Sequence, residues 1–163
     1  EIADLCGPAQ VAGLVVRAVD ELMHSTSLGE ASLGQQVQQW LELGYLERLL
    51  LRLVTLGFDI LLTSDHGNTE ATGVGKPQQG VLVDERGERA CLYTDPMFRA
   101  QALLQIPSAF AWSDVGLPPK VHYLLAGGRS AFLPMNDSRV VHGGLTLDEV
   151  LVPCVLIRQG STA

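Results

Sequence analysis

Residues 33–63 constrain the fold most. Across residues 33–55, Val37, Leu41, Leu46, Leu49, Leu50 and Leu53 recur at helical spacing, while Gln35, Gln36, Gln39, Glu47 and Arg48 supply the polar positions. The pattern predicts a long amphipathic helix, kinked at Gly44 and ended by Gly57. Phe58-Asp59-Ile60-Leu61-Leu62-Thr63 follows at once, short, apolar and bounded by turn residues, as expected of a buried strand. A helix that feeds directly into such a strand is an αβ unit, which sets an α/β class. In open sheets of that class, ligands bind at the carboxyl ends of the strands. Residues 64–80 begin at that end, are polar and glycine-rich, and read as a long surface loop.

The flanking segments are less sharply patterned. Val11, Leu14, Val15, Ala18, Leu22 and Met23 predict a helix over 10–24, and residues 25–32 a loop. Val81-Leu82-Val83 and Ala90-Cys91-Leu92-Tyr93 flank Asp84-Glu85-Arg86-Gly87, the arrangement of a hairpin. A short helix is expected over 96–106, with strands over 109–112, 121–125 and 131–133. Thr146-Leu147-Asp148-Glu149 has the spacing of a capping box opening a single helical turn, and 150–157 reads as a final strand.

With 163 residues, 47% of them hydrophobic and 18% charged, the chain can bury one core. A net charge of -7, from 11 basic and 18 acidic residues, argues against a broad electrostatic grip on nucleic acid, although a local basic groove stays open. Cys6, Cys91 and Cys154 are odd in number and far apart, so neither a disulfide framework nor a CxxC clip is indicated, and a reducing cytoplasm is the expected location. No apolar run approaches the roughly 20 residues that span a bilayer.

The chemistry-bearing residues cluster around histidines. Asp20 and His24 stand four apart, on one face of a helix. Asp65-His66-Gly67 places a carboxylate and an imidazole where a strand ends, and the glycine allows a sharp turn. His142-Gly143-Gly144 ends an apolar stretch with two glycines that permit close backbone approach. Taken alone, Asp20 with His24 reads first as ordinary helix-surface residues, whereas the other two motifs read equally as metal ligands or as turn residues. His122, between Val121 and Tyr123, reads as a packed strand residue. Two other chemistries fail on spacing. Gly73-Val74-Gly75-Lys76-Pro77 is no nucleotide-binding P-loop, because Glu70 stands at the first-glycine position and Pro77 replaces the Ser or Thr. Ser64, Asp65 and His66 are consecutive rather than convergent, and no G-x-S-x-G elbow occurs.

As an ordered set, D-x-x-x-H, S-D-H-G after an apolar strand and H-G-G resemble the pattern of the alkaline phosphatase superfamily. The stretches SDHGNTEATGVGKPQQGVLVDERGERACLY, LLAGGRSAFLP and HGGLTLDEVLVPCVLI resemble the PglZ domain of that superfamily, and the similarity covers about residues 18–159. The resemblance implies a three-layer α/β/α sandwich around a mostly parallel sheet. It also implies two divalent ions, zinc or manganese, one held by Asp20, His24 and His142 and the other by Asp65 and His66. Ions about 3.5 to 4 Å apart activate a nucleophile and stabilise the leaving oxygen at phosphorus.

The same pattern includes an earlier strand ending in Asp and a Ser or Thr nucleophile, and neither is found here. Residues 1–163 are therefore expected to be the carboxy-terminal portion of a single domain, with an incomplete sheet and no activity alone. Arg86, Arg89 and Arg129 are candidates for phosphate contact because a guanidinium matches phosphate geometry. Solvated ion pairing with Asp84, Glu85 and Glu88 is the competing reading for the first two, and Lys76 has similar standing. The implied function is a metal-dependent phosphatase or phosphodiesterase of a BREX-type phage-defence system, acting on a phosphoester and alongside other defence proteins. A non-catalytic subunit of a defence complex and a phosphomutase are the other two classes. Five retained ligands argue against a decayed site, since keeping Asp and His together without a cation is unfavourable.

Overall fold

The structure is a computed structural model that describes residue 4 and residues 9–25, 29–78, 81–82 and 88–160. Its helices are α1 (Ala18–Ser25), α2 (Gly29–Glu42), α3 (Tyr45–Thr55), α4 (Pro96–Gln105) and the single turn α5 (Leu147–Val150). The strands are β1 (Ile60–Thr63), β2 (Thr69–Gly73), β3 (Val81–Leu82), β4 (Ala90–Tyr93), β5 (Ala109–Ala111), β6 (His122–Ala126), β7 (Ser130–Ala131), β8 (Ser138–Val141) and β9 (Cys154–Ile157). Cys6 and Arg86 lie outside the described residues.

The class is mixed α/β, but among the described residues the strands do not form one mostly parallel sheet. They pair as β1-β9, β7-β2-β8 and β3-β4-β6-β5. Only β2 with β7 is parallel. The largest sheet shows why: α4 joins β4 to β5, the crossover a parallel pair needs, yet β6 lies between them and pairs antiparallel with both.

Several of the expected elements are corrected. Residues 9–17 are not helical, and α1 begins only at Ala18. Val11, Val15 and Val16 are β-branched and Gly13 sits among them, so the local preference is against a helix despite the spacing. This segment instead lies near α3 and β1, where Leu14, Val16, Leu49, Leu53 and Ile60 line a cavity of about 320 Å³. The long helix over 33–55 is two helices, the first starting at Gly29, because Gly44 sits at φ 68 and interrupts the ladder. β1 is less buried than its composition suggests, with Leu61 62% exposed.

The loop expected over 64–80 contains β2. Thr-Glu-Ala-Thr-Gly carries no large apolar residue, yet Thr69, Ala71 and Gly73 are buried, because the neighbouring strands approach closely enough to need small side chains. β3 and β4 pair antiparallel, with residues 83–87 of the expected hairpin outside the described residues. The short helix α4 and the capping box opening α5 form where the sequence places them, α4 being capped by Asp95.

Three apolar clusters hold these pieces. Cys91, Tyr93, Leu124, Ala126 and Phe132 pack with Ala102 and Ile106 under α4. Ala71, Ala131, Leu133 and Val141 fill the three-stranded sheet. Met23, Leu33 and Val140 join α1 and α2 to β8, and this third cluster positions the site. No helix among the described residues is long and apolar enough to cross a membrane.

Candidate metal centre

Packing of Met23 against Val140 sets the last turn of α1 beside the end of β8. Helical spacing then brings Asp20 and His24 together, with Oδ1 3.1 Å from Nε2. His142 follows β8 directly and is 9% exposed. The ligand atoms of Asp20, His24 and His142 all lie within 4.8 Å of one another. Zinc bonds of about 2.0 to 2.2 Å put tetrahedral ligand atoms roughly 3.4 Å apart, so side-chain rotation is enough to close this set around one ion. One carboxylate with two imidazoles is also a suitable donor set for zinc or manganese. Asp20 faces solvent, its side chain 48% exposed against 12% for His24, so the cluster opens on the carboxylate side.

Strand register places the second motif beside the first. β2 and β8 run antiparallel with Thr69 opposite Val141, so residues before Thr69 meet residues after Val141. The His66 ring accordingly stacks on His142, with centroids 4.0 Å apart and planes 10° from parallel. His66 Nδ1 lies 2.9 Å from the Gly67 carbonyl. A carbonyl can only accept, so this contact puts the proton on Nδ1 and leaves the Nε2 lone pair for a cation. Asp65 Oδ1 accepts the His66 amide at 3.1 Å and sits 3.8 Å from Nε2, and its side chain is 91% exposed. The structure thus unites Asp20, His24 and His142, sets His66 against them, and leaves Asp65 at the solvent edge.

Gly67 does not take the left-handed conformation that a sharp turn would require. Its smallness serves close approach: a Cβ there would run into the Asp148 carbonyl. Gly143, at φ 92, makes the turn after His142.

The arginines divide by burial. Arg89 is 1% exposed. Its Nε and Nη2 donate to the Glu149 carboxylate, each at 3.0 Å, Nη2 also donates to the Gly128 carbonyl at 2.7 Å, and Nη1 to that of Ser130. Four of its five N–H donors therefore have acceptors inside the protein. Arg89 is an internal tie and does not face solvent as a phosphate-binding group would. Arg129 is 58% exposed and pairs with Asp148 at 2.7 Å. Lys76 is exposed in the loop after β2. His122 sits on β6, with Nδ1 2.9 Å from Asp114, which also receives Arg99.

Glu149 is the residue that sequence reasoning undervalued. Burial pushes its carboxyl up, but hydrogen bonds from Arg89, Thr146 and Gly144 outweigh this and hold it below the ordinary carboxylate range. The capping-box spacing identified its role toward Thr146. No local signal pointed to Arg89, sixty residues away in the chain.

An α/β chain that gathers a carboxylate and two imidazoles from a helix and a distant strand end has the makings of a metal-binding domain. The family model described as the BREX system PglZ alkaline phosphatase-like domain matches residues 1–157, and the chain belongs to that family. No curated protein matches the chain.

Proposed function

We propose that this domain is the metal-binding part of a phosphoester hydrolase, a phosphatase or phosphodiesterase, working in a BREX phage-defence system. The observation that carries the reading is the convergence of Asp20, His24 and His142, in a chain of an alkaline phosphatase-like family. In this reading those three residues hold one divalent cation, and Asp65 and His66 offer two ligands to a second. Bound divalent ions of this kind activate an oxygen nucleophile and stabilise the leaving oxygen. The protein's own residues do the positioning: Gly67 fixes the His66 tautomer, and the stack on His142 fixes its plane. Of the two described candidates, Arg89 and Arg129, Arg129 is the one exposed enough to meet a phosphate. The nucleophile and the remaining ligands of the second cation come from outside these 163 residues.

Metal analysis of the wild type and of Asp65→Ala and His142→Ala, with phosphate mono- and diesters as substrates, tests the assignment. His142→Ala should lose the first ion and Asp65→Ala the second. Unchanged metal content in both variants would refute the ligand set. Phosphoesterase activity of the 163-residue chain alone would refute the external nucleophile.

A further inference from the structure

We propose that Glu149 is a positioning residue of the metal centre, one that locks the two ligand-bearing loops to each other. This rests on the metal-binding reading above.

Glu149 is 2% exposed, and it touches three segments. Its carboxylate accepts the Gly144 amide at 2.8 Å, two residues beyond His142. Its backbone carbonyl accepts the Gly67 amide at 2.8 Å, one residue beyond His66. The same carboxylate accepts the Thr146 amide at 3.0 Å and the Thr146 hydroxyl at 2.7 Å, and forms the two-pronged pair with Arg89. Arg89 extends the tie to the Gly128 and Ser130 carbonyls, which fixes the turn between β6 and β7.

Capping a four-residue turn does not call for this. A glutamate at that position can cap from the surface, whereas burying a carboxylate and a guanidinium carries a desolvation cost that pairing only offsets. What the burial accomplishes is geometric. The His66 and His142 loops approach one another through β2 and β8, but both loops lie beyond the ends of that ladder, where strand hydrogen bonds no longer hold them. Glu149 supplies the missing connection, one hydrogen bond to each loop. The stacked rings of His66 and His142 therefore keep a fixed separation, and ligands oriented by such outer contacts bind metal more tightly than free ones.

The test is a Co²⁺ titration followed by visible absorption, whose ligand-field bands report coordination geometry. It is run on the wild type, His142→Ala, Glu149→Gln and Thr146→Val, with near-ultraviolet circular dichroism to establish that each is folded. Wild type should bind and develop the bands, and His142→Ala should not. Glu149→Gln presents an amide to Arg89 in place of a carboxylate. It should bind several-fold more weakly with altered bands, by up to about the 10- to 100-fold seen when a group bonded to the ligand itself is lost. Thr146→Val removes one donor to the carboxylate and should shift affinity the same way by a smaller factor.

A folded Glu149→Gln with wild-type affinity and superposable bands would overturn the proposal and leave the metal reading intact. If Glu149→Gln does not fold, Thr146→Val decides, and an unchanged titration there overturns it. A wild type that takes up no Co²⁺ removes the metal reading and the proposal with it.

Discussion

Replacing Gly67 by alanine is the sharpest probe of how closely the two ligand loops are packed. The added Cβ would fall inside the contact distance of the Asp148 carbonyl oxygen and 3.1 Å from its carbon. Both are backbone atoms of the turn that Glu149 anchors, so no flexible side chain can move aside. Forcing one extra carbon into such a site costs about 1 to 3 kcal/mol. The displacement also strains the bond from the Gly67 amide to the Glu149 carbonyl, which contributes about 1 kcal/mol. Against this, alanine restricts the unfolded chain and returns about 0.4 to 1 kcal/mol.

The expected net loss is therefore about 1 to 3.5 kcal/mol, or a fall in Tm of roughly 2 to 14 °C for a chain of this size. Gly75→Ala is the matched control, because Gly75 has φ 97 but no atom near its Cβ position. There the left-handed backbone alone should cost about 1 to 2 kcal/mol. The two variants also separate in the metal titration. Gly67→Ala should weaken Co²⁺ binding by moving His66, and Gly75→Ala should leave it unchanged. Urea denaturation gives the stability difference. A Gly67→Ala protein within about 0.5 kcal/mol of wild type, the span of an ordinary surface substitution, would refute the close packing inferred for this seam.

Acid should weaken the fold through Glu149. Its folded carboxyl lies below the ordinary value, so its contribution is present above the unfolded pKa of about 4.3 and is lost as pH falls through the folded one. Urea midpoints measured from pH 7 down to 3 should therefore drop steeply at the acid end in wild type and less steeply in Glu149→Gln, and parallel curves would contradict the shift. Leu124 is fully buried at the centre of the four-stranded sheet, so Leu124→Ala should cost about 2 to 5 kcal/mol by the same denaturation assay. Arg129→Ala removes an exposed ion pair and should change stability by less than about 1 kcal/mol. In the active protein it should raise KM for the phosphoester, and an unchanged KM would exclude a substrate role.

Elements defined by side-chain size or by punctuation were legible in the sequence. Thr146 before Glu149 and the short segment opened by Pro96 state their elements locally, and the structure forms both. The apolar run at residues 58–63 also gives a strand, over Ile60–Thr63, though one more exposed than its composition suggests. β2 was not legible, because its burial comes from strands distant in the chain, which leave room only for Ala71 and Gly73. Residues 9–17 misled for the opposite reason. Their apolar spacing is near-helical by coincidence, while β-branching and Gly13 favour extended backbone. The antiparallel pairing of β6 between β4 and β5 was equally hidden, since a β-α-β order in sequence does not say which strand will later be inserted.

The site shows the same division at the level of single groups. Asp20 with His24, and Asp65 with His66, are short-range facts, and a reader of the sequence can name them as ligand types. Their union with His142 is set by the packing of Met23 on Val140 and by the register of Thr69 opposite Val141, both long-range. The tie that fixes the union lies further still from any local signal. Arg89 looked like an arginine in an acidic turn, and Glu149 looked like a cap. Only the fold shows that they face one another below 3% exposure and that the Glu149 carbonyl holds the loop of His66. Ligand identity is therefore written locally, in residue types and spacing, whereas ligand geometry depends on a buried pair whose members carry no mark of their partnership. A substitution at Arg89 or Glu149 should accordingly disturb metal binding although neither residue is positioned to touch the ion.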